Sequence, residues 1–186
     1  MIYQCYINMR LKEKYNKIVV PALMKEYGYK NVMQAPHLEK VVLNVGINSK
    51  LKDSEIKEVV ENTLTKISGQ KSVPRKAKKS ISSFKIRAGN IVGMSVTLRK
   101  KRMYDFVDKF VNITLPRVRD FRGLSAKSFD GNGNYSIGFH EQVAFPEIKP
   151  GDADKLHGLE IVFVTTAKTD KEAKELLTLL GFPFKK

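Results

Sequence analysis

The chain reads as an α+β protein: an antiparallel sheet with helices packed on one face and a polar face left open on the other. Three observations point there. Period-2 apolar runs at 38–46, 91–99 and 159–166 are interspersed with 3.6-period runs at 10–27, 54–68 and 102–114 and a last one through Ala173 and Leu180. Glycine–asparagine steps at 89–90 and 131–134 mark reversals between strand-like stretches, which makes the pairing antiparallel. Strands and helices are mixed along the chain and the strands meet in hairpins, which gives an α+β layering with helices on one sheet face.

Taken in order, Leu11, Tyr15, Ile18, Val19 and Leu23 form the stripe of a first helix over 10–27, with Pro21 expected to kink or split it and Gly28 to stop it. In LEKVVLNVG, residues 38–46, Val41, Leu43 and Val45 point one way and Lys40, Val42 and Asn44 the other. Ile56, Val59, Val60, Leu64 and Ile67 make the buried side of a helix over 54–68, capped by Asp53 or Ser54 and ended by Gly69. A short strand is expected near Lys71–Val73, then a basic loop spanning 72–82. Strands at 83–88 and 91–99 are expected to pair through a Gly89–Asn90 turn. In the second of them Val92, Met94, Val96 and Leu98 face the core, and Ile91, Ser95, Thr97 and Arg99 face away. A helix follows over 102–114, ended by Pro116, with Tyr104, Val107, Phe110 and Val111 on one side. FDGNGNYSIGF, 129–139, reads as two strand ends around a turn. After the strand at 159–166, Thr169 with Glu172 forms a capping box for a last helix with Ala173, Leu176, Leu177 and Leu180 on its buried side.

The chain has 186 residues, enough to bury roughly 70% of its unfolded surface without covalent staples. The only cysteine, Cys5, excludes an internal disulfide and a cysteine-based zinc site. No apolar run nears the ~18 residues of a membrane span, and Met1–Asn8 is too short and polar for a secretory signal. The expectation is a soluble, basic, intracellular protein: one domain over 9–186, preceded by a disordered extension at 1–8, with Met9 as a candidate natural start.

The net charge is +15, and residues 71–102 hold 11 basic residues and no acidic one. A solvated face normally mixes signs to limit self-repulsion. A long acid-free stretch points to a polyanionic partner, and the absence of an amphipathic basic helix favours nucleic acid over a membrane surface. The predicted open face of the sheet carries Lys40, Asn44, Ser95, Thr97 and Arg99, polar groups suited to RNA.

Catalytic signatures are missing. No phosphate-binding loop, dinucleotide fingerprint or nucleophile elbow occurs, and His37, His140 and His157 lack metal-ligand spacing. Asp130, Asn132, Asn134, Ser136 and Glu141 fall on loop positions 1, 3, 5, 7 and 12 of an EF-hand, but Tyr135 occupies the sixth position, where glycine makes the sharp turn. Turn chemistry explains the segment better. No catalytic residue, metal site or cofactor is expected.

Several segments together carry a resemblance: LEKVVLNVGI (38–47), ISGQK (67–71), KAKKSISSFKIR (76–87), GMSVTLR (93–99), LPRVRDFRGLSAKSFDGNGNYS (115–136), EQVAFPEI (141–148) and TTAKTDKEAKELLTLLGFPFKK (165–186). From about Tyr15 onward the chain resembles the bacterial form of the fifth universal large-subunit ribosomal protein, the 5S rRNA-binding family. It departs at Arg75, where that family has a small hydroxyl residue. The resemblance implies a cytoplasmic ribosomal protein, not an enzyme, that anchors 5S rRNA in the central protuberance alongside the large-subunit rRNA. It also implies contacts with P-site tRNA and with small-subunit ribosomal protein number thirteen. It places RNA contacts at Asn44, Gln70 and Thr97, among the polar-face residues Lys40, Ser95 and Arg99. It gives the tRNA contact to Arg75, Lys76, Lys78 and Lys79. The acidic, proline-bearing stretch 140–152, with His140, Glu141, Gln142 and Glu147, is then the protein bridge. The competing expectation is a transient RNA-binding assembly factor or RNA chaperone. A nucleic-acid-processing enzyme is disfavoured by the lack of clustered carboxylates in 71–102.

Overall fold

The structure is a computed structural model that describes residues 10–47, 54–148 and 156–185. The extension at 1–8, Cys5, Met9 and Asp53 as a cap lie outside them. The strands are β1 (Leu38–Gly46), β2 (Val73–Lys76), β3 (Ile91–Leu98), β4 (Tyr135–Phe139) and β5 (Leu159–Thr165), in the sheet order β2-β3-β1-β5-β4. The helices are α1 (Leu11–Lys14), α2 (Val20–Tyr27), α3 (Ser54–Ser68), α4 (Lys100–Lys109), α5 (Leu115–Arg117) and α6 (Asp170–Leu180). This is the expected α+β fold with an antiparallel sheet. By its internal contacts the chain divides into two compact units: Met1–Val41 with Arg99–Ser136 and Val162–Lys186, and Val42–Leu98 with Ile137–Ile161.

In the first unit, the helix expected over 10–27 is divided into α1, a π-helical turn and α2, with Pro21 in the first turn of α2. A π-helical turn, Tyr15–Val19, joins α1 to α2, and a second, Phe110–Thr114, joins α4 to α5. Each stands immediately before an X-Pro step, Val20–Pro21 and Leu115–Pro116. Proline lacks an N–H and its ring crowds the carbonyl four residues back, and a widened turn removes both conflicts. The helix therefore runs through Pro116 to Arg117 instead of ending there. Phe110, Phe163 and Phe182 pack with ring centroids 5.0–6.1 Å apart. Tyr15 donates to the Pro36 carbonyl at 3.2 Å, and burial, reinforced by Tyr104, pushes its phenol up to about 12. At α6 the Thr169 hydroxyl accepts from Glu172 N, and the Glu172 carboxylate accepts from Lys168 N at 3.1 Å, one residue before the cap.

In the second unit, α3 packs on β3, with Val60, Leu64 and Ile67 of the helix and Met94, Val96 and Leu98 of the strand buried. The expected pairing of 83–88 with 91–99 is not what forms. β3 pairs antiparallel with β2, in the register Val73↔Ser95, Pro74↔Met94 and Arg75↔Gly93. Residues 83–88 alternate like a strand, but Ser82–Lys85 is a turn, closed by reciprocal backbone bonds between Ile81 and Ile86 at 2.9 and 3.1 Å. The short strand expected near Lys71–Val73 forms at Val73–Lys76, and Pro74 is tolerated in it because β2 is an edge strand, where a missing donor leaves no ladder bond unmade.

Candidate nucleic-acid interface

The β2–β3 pair positions the first group of candidate residues. Alternation along β3 puts Ser95 and Thr97 opposite the buried Met94, Val96 and Leu98. Ser95 was expected to be exposed and is only 4% so. The reason is Arg75, which the sequence reading placed in a loop but which lies in β2: its Nε donates to Ser95 Oγ at 2.6 Å. Gln70, just past the α3 terminus, donates from Nε2 to the Thr97 carbonyl at 3.5 Å, which brings Gln70 and Thr97 together. Asn44 of β1 donates from Nδ2 to Glu160 Oε2 of β5 at 3.3 Å.

Beyond β2 the chain forms a cationic hairpin. Ala77 N bonds Asn90 O at 2.8 Å and Gly89 N bonds Ala77 O at 2.9 Å; the Ile81–Ile86 bridge closes the next level. Ser80 Oγ accepts from Ala88 N at 2.9 Å. Lys78, Lys79, Lys85 and Arg87 are exposed along it, as is Lys76 at the end of β2, and no carboxylate of their own run can neutralise them. At the tip Phe84 is 63% exposed, a position the charge-based reading passed over although FKIR stands in plain view.

The remaining two polar-face residues belong to the other unit. Glu39 gathers them: Arg99 Nη1 lies 3.3 Å and Lys40 Nζ 3.9 Å from Glu39 Oε1. Glu39 and Glu160 are the carboxylates that sequence reasoning missed. The alternation of 159–166 already put Glu160 on the outward side; its adjacency to Asn44 depends on the strand order, which the sequence does not print.

In the segment 140–148, His140 and Glu141 are exposed and Glu147 is half-buried. Gln142 is fully buried, and its Oε1 accepts from His157 N at 2.9 Å, so it braces the segment from within instead of facing a partner. His157 Nδ1 lies 3.3 Å from the Gly158 carbonyl, and burial pushes its imidazole below the ordinary value. The tail of this stretch, 149–152, lies outside the described residues.

The EF-hand-like spacing proves to be a turn. Asp130 Oδ1 accepts from Asn132 N at 2.9 Å and Asn134 N at 3.0 Å, and Oδ2 from Asn134 Nδ2 at 2.8 Å. These bonds, the Asn134 side chain first, hold its carboxyl below the usual range. Tyr135 is buried and donates to the Ser125 carbonyl at 3.0 Å. Among the described residues no group of three or more potential metal ligands comes together, and no helix is long and apolar enough to cross a membrane.

A basic α+β chain whose acid-free run extends through the β2–β3 pair, the hairpin and the first turn of α4 is of the ribonucleoprotein type. Residues 31–87 match the family described as Ribosomal protein L5, and residues 91–184 match the family model for the C-terminus of that same ribosomal family. The large ribosomal subunit protein uL5 of Caldanaerobacter subterraneus subsp. tengcongensis is 59% identical over 177 residues, 95% of this chain and 99% of that one. Its counterparts in Clostridium kluyveri and Carboxydothermus hydrogenoformans are each 57% identical, over 96% and 94% of this chain and 98% of theirs. The chain belongs to the ribosomal protein L5 family of the large subunit, a family of structural proteins and not of enzymes.

Proposed function

We propose that the chain binds 5S rRNA and attaches it to the large-subunit rRNA in the central protuberance, in the bacterial cytoplasm. Asn44, Gln70 and Thr97 supply the neutral contacts, with Ser95 beneath, and Lys40 and Arg99 are further cationic contacts. The observation that supports this reading is the acid-free run 71–102, six of whose eleven cations lie on β2 and the exposed hairpin, with three more at the start of α4. Small polar groups on a rigid strand suit the shallow minor groove and 2′-hydroxyls of folded RNA, and the cations suit its phosphates. Lys76 at the end of β2, with Lys78 and Lys79 of the hairpin, contacts P-site tRNA. His140, Glu141 and Glu147, with Gln142 as internal brace, face small-subunit ribosomal protein number thirteen.

The test is the Asn44→Ala, Thr97→Ala double variant in filter binding to a 5S rRNA transcript. Each lost neutral hydrogen bond costs about 0.5–1.5 kcal/mol. The double variant should bind measurably weaker with an unchanged unfolding midpoint. Binding equal to wild type would remove the sheet as the 5S rRNA surface.

A further inference from the structure

Arg75 stands apart from the other cations of its run. Its place in β2 faces Gly93, which offers no side chain, and its Nε is fixed to Ser95 Oγ at 2.6 Å. Ser95 is itself buried, so this acceptor is part of the sheet and not a mobile surface group. A free arginine samples many rotamers; this one is tethered at one nitrogen along the outward side of β3, where Thr97 is the next outward residue. With Nε engaged, the four N–H donors of Nη1 and Nη2 remain. Among the described residues no carboxylate pairs with Arg75. A planar pair of nitrogens with no acidic partner matches the two-oxygen edge of a phosphate.

We propose that Arg75 is a pre-oriented phosphate clamp of the sheet face. It takes one RNA backbone phosphate beside the Thr97 and Gln70 contacts and does not act with Lys76, at the end of β2, or with Lys78 and Lys79 of the hairpin. The clamp rests on the reading of the sheet as the 5S rRNA surface, and the experiment separates the two.

Binding to a 5S rRNA transcript is measured over a potassium chloride series for wild type, Arg75→Gln, Arg75→Lys, Ser95→Ala, the Asn44→Ala, Thr97→Ala pair, and the Lys76→Ser, Lys78→Ser, Lys79→Ser triple. Arg75→Gln should lower affinity about tenfold and reduce the salt slope by about 1. Arg75→Lys should restore the slope but not the affinity, because an ammonium lacks the fork. Ser95→Ala should leave the slope intact with a smaller loss, since it only frees the guanidinium. The lysine triple should bind 5S rRNA as wild type does. If Arg75→Gln keeps wild-type affinity and slope while the Asn44, Thr97 pair is impaired, the clamp is wrong and the sheet reading stands. If the lysine triple loses as much 5S rRNA affinity as Arg75→Gln, Arg75 is one loop cation among four and the proposal fails. If the Asn44, Thr97 pair binds like wild type, the sheet reading falls and takes the clamp with it.

Discussion

The hairpin at 77–90, which turns at Ser82–Lys85, and the turn at 130–134, which uses glycine and asparagine, are both short polar reversals, yet they are built from opposite materials. The turn is organised by a carboxylate: Asp130 accepts three hydrogen bonds within its own five residues. It is also pinned from outside, with Gly133 N donating to Asp170 Oδ1 at 3.0 Å and Thr165 donating to the Gly133 carbonyl at 2.7 Å. On its flank Phe129, Tyr135 and Phe184 pack with centroids 4.8–5.9 Å apart. The hairpin has no acid, and backbone bonds and one serine close it. A carboxylate used as a local organiser neutralises its surroundings. A reversal that omits it stays cationic and leaves neutralisation to a partner.

The largest expected effect that sharpens this contrast is at glycine. Gly133 has φ +79°, and a Cβ there would sit 2.8 Å from the Ala167 carbonyl oxygen, a backbone atom that cannot swing away. Gly133→Ala should cost about 2–3 kcal/mol, adding collision to left-handed strain, and lower Tm by roughly 4–12 °C. Gly89 in the hairpin has φ +89° but open space around it, so Gly89→Ala should cost only the strain, about 1 kcal/mol. Equal losses in thermal unfolding would mean the turn is no more tightly constrained than the hairpin.

A smaller effect is expected at Asp130. Its carboxyl titrates below the usual range in the folded protein, so the unfolded chain takes up protons first as pH falls. The stability it contributes is complete above the ordinary carboxylate pKa and is lost as pH drops through the depressed folded value. Asp130→Asn should therefore lower Tm slightly near neutrality, the effect being screened by solvent, and show a shallower decline of Tm on the acid side. A parallel acid limb in both proteins would contradict this. The smallest effect on stability belongs to the hairpin cations. Changing Lys76, Lys78 and Lys79 to Ser should move the unfolding free energy by less than about 0.5 kcal/mol. The same variant should speed tRNA dissociation from the P site, most at low salt. Unchanged dissociation would make the hairpin charge a solvated surface only.

Where one local signal dominated, the sequence was readable. Strict alternation located β1 and β5, and Thr169 with Glu172 located the start of α6. DGNG announced a turn despite its calcium-like spacing, because Tyr135 filled the glycine position. The rest depended on partners distant in the chain. Whether 73–76 or 83–88 pairs with β3 turns on Pro74 sitting at a sheet edge, and edge status is a property of strand order. Ser95 alternates outward as expected, but its burial comes from a side chain twenty positions earlier. Gln142 looks like surface in any local window, yet it is consumed by the backbone of His157. Of the candidate contacts, the cationic hairpin was legible because charge needs no partner to be seen. The engagement of Asn44 with Glu160, and of Arg99 with Glu39, was not.

The two π-helical turns have a geometrical consequence for how the long helices meet their core. Leu11 and Leu23 are twelve positions apart, about 120° out of phase on an ideal helix at about 100° per residue. Each widened turn absorbs about one extra residue, close to 100° of rotation, and so returns Leu23 to the side of Leu11; both are buried. The same correction aligns Val107 with Leu115, eight positions on and likewise buried. Each proline is thus accompanied by a phase slip along the helix axis. Each helix is one residue longer than its buried stripe requires, and the surplus residue is spent where a straight helix would have collided with its own proline.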